Sequence, residues 1–111
     1  MKEYHGKQHK DGHALWDAWY KAEDDGTEES MWGDWCHYPV RGQDGQIRKY
    51  LQIVIPHHGP VIWQYSGEGK VVWDYKGPDN APTLHPSLLI HKSTAGPGWH
   101  GWFKNGVLQE I

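Results

Sequence analysis

From Ile47 onward the chain is a series of short β-branched and aromatic runs, each stopped by glycine, proline or asparagine before it reaches helical length. This punctuation constrains the fold more than any other feature. Ile47, Leu51, Ile53 and Ile55 alternate with Arg48, Tyr50 and Gln52, the period-two pattern of a strand with one buried face, and Pro56 with His57-His58-Gly59-Pro60 ends it. Residues 61–65 and 71–75, separated by Ser66-Gly67-Glu68-Gly69-Lys70, predict a hairpin in which Trp63 and Trp73 pair. Residues 76–83 are turn-rich, 84–91 read as a further strand and 93–98 as a loop. Residues 99–103 and 107–111 flank Asn105-Gly106, a strong hairpin signal because both residues tolerate positive φ.

The amino-terminal part follows another period. In residues 13–23, Leu15, Trp16, Trp19 and Tyr20 share one face while Asp17, Lys21 and Glu23 are left to solvent, so an amphipathic helix is expected there. Residues 1–12 are polar and read as a loose arm. Residues 24–30 read as an acidic linker, with contact to a basic partner as the alternative to a solvated loop. The fold expected is one domain over 1–111, mainly β in the α+β class: a small antiparallel sheet or sandwich of hairpins over residues 31–111 with one amino-terminal helix.

Charge and cysteine content narrow the classes of function. Eleven Lys and Arg against 14 Asp and Glu give a formal charge of −3, which leaves no excess of positive charge for a phosphate backbone and argues against nucleic acid as partner. Nine histidines make that charge pH-sensitive near their ordinary pKa of about 6.5. Cys36 is the single cysteine, which excludes an intrachain disulfide framework. No apolar run approaches membrane-spanning length and the first residues lack the apolar core of a secretory signal, so a cytoplasmic location is expected.

Two constellations suggest chemistry. Cys36, His37, His57, His58, His91 and His100 all fall at strand ends or in loops, where ligands from separate strands meet, and Cys36, His57, His91 and His100 are the preferred set for zinc. Their spacing matches no Cys-x-x-Cys or His-Glu-x-x-His motif, and surface or packing histidines are the competing account. His5, His9 and His13 recur every four residues, but Gly6 and Gly12 oppose the helix that would align them. Neither Cys36 beside His37 nor Ser87 sits in a nucleophile motif, and no carboxylate pair is singled out, so the chain reads more as a binding protein than an enzyme. The second constellation is aromatic: eight Trp and six Tyr beside one Phe. Trp63, Trp73, Tyr75, Trp99 and Trp102 are the candidates for a binding surface, with core packing as the alternative.

The segment from Trp73-Asp74-Tyr75-Lys76-Gly77-Pro78-Asp79 through Pro82-Thr83-Leu84-His85-Pro86-Ser87-Leu88-Leu89-Ile90 to His100 and Asn105-Gly106-Val107 resembles a family of small proteins found mostly in bacteriophages and prophages. That family often has paired cysteines upstream and a cysteine before the histidine; here Trp99 takes that place and only Cys36-His37 stands upstream. The resemblance implies an accessory protein in the cytoplasm of an infected or lysogenic bacterium, with a host or phage protein as its partner. The expected function is noncatalytic binding through an aromatic, acidic surface, such as inhibition of a host defence or regulatory system. A small Cys/His zinc protein or metal-dependent hydrolase is the second reading, and a carbohydrate-binding module the third.

Overall fold

A computed structural model describes residues 1–69, 71–94 and 96–111. Lys70, in the expected hairpin loop, and Ala95, in the loop expected over 93–98, lie outside the described residues. The first strand is β1 (Lys2–Tyr4), followed by helix α1 (Gly12–Asp25). The Asp11 carboxylate accepts a hydrogen bond from the Ala14 amide at 2.8 Å, which satisfies one of the free donors at the helix start. Gly26 stops α1 by taking up a left-handed backbone, φ 71°, and the Thr27 amide then donates to the Ala22 carbonyl at 2.8 Å. Between these caps Leu15, Trp19 and Ala22 form the buried stripe; of the face expected from the sequence, Leu15 and Trp19 are buried, Trp16 is half-buried and Tyr20 is 58% exposed. A 3-10 turn (Glu28–Met31) follows, so the acidic stretch expected as a linker is built into helix end and turn.

Three strands come next: β2 (Trp35–Arg41), β3 (Ile47–Ile55) and β4 (Gly59–Ser66), which form an antiparallel meander in the order β2-β3-β4. Register assigns their faces. Trp35 sits opposite Ile53 and Leu51 opposite Trp63, and these side chains enter the core on one side. Cys36 and Val54 enter the other side, where they meet Leu15, Trp19 and Ala22 of α1 and Met31. The small sheet is therefore a middle layer with both faces covered, so residues 51–55 are all buried where alternation predicted one buried face, and Ile47, expected on that face, is 45% exposed.

The second sheet has five antiparallel strands in the order β1-β8-β7-β6-β5, comprising β5 (Asp74–Lys76), β6 (Thr83–Ile90), β7 (Trp99–Lys104) and β8 (Val107–Glu110) beside β1. Leu84, Leu88, Trp99, Phe103 and Leu108 point from it into the shared core, while His85, Leu89 and His100 are exposed on its outer side. Asn105 at φ 51° and Gly106 at φ 77° make the two-residue turn between β7 and β8, as expected of this pair. The fold class expected from the sequence, mainly β with an amino-terminal helix, is the one observed.

Two further expectations differ. Residues 61–65 and 71–75 do not form a hairpin: β4 pairs with β3, and β5 pairs with β6 in the other sheet. The chain crosses between layers here, and Trp63 meets Trp73 edge-on across the gap, with ring centroids 5.1 Å apart and planes at 81°. Residues 1–12 are not a loose arm. Tyr4 pairs with Leu108, Lys7 and His9 exchange backbone hydrogen bonds with Trp35 at 3.1 and 2.7 Å, and the segment spans both sheets. Asp34, 4% exposed, fixes it by accepting from the Lys7 amide at 3.0 Å and pairing with His9 Nε2 at 2.7 Å.

Candidate functional site

The residues expected to bind zinc fall in different environments. Cys36 is fully buried beneath α1, its thiol donates to Gln52 Oε1 at 3.6 Å, and burial, with the charge of Asp11 adding to it, pushes its pKa up to about 12. A thiol held neutral in this way is a poor metal ligand and a poor nucleophile. His57 lies in the β3–β4 turn, His91 is exposed after β6, and His100 is on the outer side of β7 with Nε2 2.9 Å from Ser87 Oγ. Of the four, His57 and His100 line one cleft of about 360 Å³. Among the described residues no group of three or more His, Cys, Asp or Glu side chains is arranged to hold a metal ion.

The aromatics expected at a binding surface divide. Trp63 and Trp99, 4% and 7% exposed, are core residues, because alternation along β4 and β7 turns them toward the facing sheet. Trp99 Nε1 donates to Glu110 Oε1 at 2.7 Å, whereas Trp63 Nε1 is buried with no acceptor among the described residues. Trp73 is half-buried and donates to the Ser87 carbonyl at 3.3 Å. Tyr75 stacks on Tyr65 at 4.7 Å beside His37, and burial first and the Asp79 charge second raise the pKa of both hydroxyls. Trp102 is half-buried on the outer face of the large sheet and lines a shallow hollow there with Met1, Leu84 and His85.

A cleft of about 270 Å³ gathers aromatic and acidic side chains that sequence reasoning did not join. Helix α1 supplies Trp19 and Glu23, which four-residue spacing places on one face; the 3-10 turn supplies Glu28; Trp32 follows it. The β3–β4 turn closes the cleft with His57, His58 and Gly59. His57 is exposed, adopts φ 66°, and sets its ring 4.6 Å from Trp32 at an interplanar angle of 62°. A left-handed backbone costs a non-glycine residue about 1–2 kcal/mol. His58 Nε2 is buried and has no hydrogen-bond partner among the described residues.

Electrostatics distinguish this cleft from the others. The last turn of α1 contains Glu23, Asp24 and Asp25 and no basic residue, and Glu28 and Glu29 open the 3-10 turn immediately after. The helix carboxy terminus carries a partial negative charge, so carboxylates there are unfavourable by roughly 0.3–1 kcal/mol each. Among the described residues none of these five carboxylates takes part in an ion pair. Folding alone favours lysine or arginine in the last turn. The sequence signal was present: an acidic run bracketed by Trp19 and Trp32. A solvated linker accounted for the charges but not for their aromatic neighbours.

Comparison with protein-family models, with curated proteins and with solved structures found no match.

Proposed function

We propose that this protein is a noncatalytic binding domain whose acidic cleft takes a basic side chain from a macromolecular partner. One observation carries the reading: five carboxylates without ion-pair partners among the described residues are collected at the negative end of α1, and two of them, Glu23 and Glu28, line a cleft together with the indoles of Trp19 and Trp32. Indole faces attract lysine and arginine, more strongly once the site is partly desolvated. Carboxylates nearby raise the rate of encounter with a basic surface and select against acidic ones. This reading keeps an aromatic, acidic surface as the binding element but moves it to Trp19, Trp32, Glu23 and Glu28, away from the carboxy-terminal aromatics expected from the sequence. A phage or prophage origin, a host or phage protein as partner, and action in the bacterial cytoplasm belong to the same proposal, supported by the motif of residues 73–107. No helix among the described residues is long and apolar enough to cross a membrane.

The test is tryptophan fluorescence titrated with N-acetylarginine amide and with arginine-containing peptides. Binding is expected to weaken as salt rises and to fall in Glu23→Gln and Glu28→Gln proteins. No response to arginine, or an equal response from those two variants, overturns the proposal.

A further inference from the structure

Four strand edges border the two sheets, and three of them are guarded. β1 and β5 are three residues long. β2 carries Pro39, and Gln8 bridges it at Trp35. β4 is different: it is eight residues long, contains no charged side chain, and has proline only at its second position. Its sole neighbour in the sheet order is β3, and among the described residues no backbone hydrogen bond reaches residues 60–65 from the other side. Ile62, 45% exposed, stands on this strand where a guarded edge would carry lysine. The edge also leads into the acidic cleft, because Gly59 is both the first residue of β4 and part of the cleft wall.

We infer that the partner docks as an extended segment, adding an antiparallel strand to β4 and placing a lysine or arginine at its carboxy-terminal end in the cleft. This inference rests on the proposed function of the cleft. Direction follows from topology. An antiparallel strand beside β4 runs toward Gly59, so the residue that leaves it reaches Trp19, Glu23, Glu28 and Trp32. Main-chain hydrogen bonds supply affinity without sequence demands, and the cleft supplies selection for the basic end. Every pairing between named strands in this protein is antiparallel, the geometry with the more favourable hydrogen bonds.

The experiment is NMR titration of the labelled full chain with a short blocked peptide of alternating valine and threonine ending in arginine. Companion probes are the same peptide ending in glutamate and N-acetylarginine amide alone. The arginine peptide is expected to shift the amides of residues 61–65 together with the indole N–H signals of Trp19 and Trp32. Ile62→Lys, at an exposed position, should lower its affinity roughly tenfold while N-acetylarginine amide binds as before. Indole shifts with unmoved β4 amides overturn strand docking and leave the cleft reading standing. If neither set moves with any probe, the cleft reading fails as well. If the chain is a dimer that Ile62→Lys makes monomeric, a second copy fills the edge and the inference is wrong.

Discussion

His57 holds a backbone conformation that glycine would adopt without strain. Replacing it relieves about 1–2 kcal/mol, against roughly 0.5–1 kcal/mol of added chain entropy for glycine in the unfolded state. Loss of the ring contact with Trp32 costs a further ~0.5–1.5 kcal/mol, so His57→Gly is expected to leave Tm nearly unchanged while weakening arginine binding; melting curves and the fluorescence titration read the two effects separately. Cys36 makes an alkaline prediction. Its folded pKa of about 12 lies above the ordinary value of 9.0, so its contribution to stability is intact below pH 9 and is lost as pH rises toward 12, when only the unfolded thiol ionises. The slope it adds approaches about 1.4 kcal/mol per pH unit in that window, and Cys36→Ala should flatten it. Tyr65 and Tyr75, both raised by burial, act in the same sense above their ordinary value of 10.0 and remain in that variant. A Cys-His pair in sequence looks like a ligand set. Strand alternation sends Cys36 beneath the helix and His37 to the other face, where its Nε2 lies 2.8 Å from the Asp79 carbonyl.

At the scale of elements, α1 has a favourable start and an unfavourable finish. Asp11→Ala should cost about 1 kcal/mol through the lost cap. Asp24→Lys should instead gain roughly 0.3–1 kcal/mol at the helix end while lowering affinity for basic peptides; denaturant midpoints paired with binding isotherms test both signs. Local elements were legible where a short-range rule fixes them: the helix that buries Leu15 and Trp19, the strand character of β3, and the Asn105-Gly106 turn; the single buried face expected of β3 was not, because both sides of residues 51–55 are covered. Pairing between layers was not. The glycine-rich break after Ser66 resembles a tight turn, yet nothing in residues 61–75 records that β4 joins one sheet and β5 the other. The run over 71–75 is also shorter as a strand than its β-branched residues suggest, since Val71 and Val72 are 39% and 50% exposed and the strand is Asp74–Lys76. The arm was missed for a different reason. Its polar residues are held by backbone bonds and by Asp34 rather than by apolar burial, and hydrophobic patterning does not register such contacts.

At the scale of the whole molecule, the described residues form a helix, a three-stranded sheet and a five-stranded sheet in layers, with one core on each side of the middle sheet. Phe103, the only phenylalanine, is fully buried between the sheets, so Phe103→Ala should cost about 3–5 kcal/mol in urea denaturation. His9→Ala tests the tie that joins the amino-terminal segment to the middle sheet. It removes a partner of the buried Asp34 carboxylate and should cost about 1.5–3 kcal/mol, although the residue lies in a region without apolar character. The candidate cleft is likewise a product of assembly: its walls come from α1, the 3-10 turn and the β3–β4 turn, which meet only when α1 lies on the middle sheet. The indole pair at the crossover has an optical meaning. Trp63 lies on β4 of the small sheet and Trp73, just before β5, is tied to the large sheet through Ser87; their rings are 5.1 Å apart, close enough for their electronic transitions to couple, so circular dichroism carries a signature of the gap between the layers. During unfolding, disappearance of that couplet ahead of the strand signal would identify a state in which the sheets separate before either unravels.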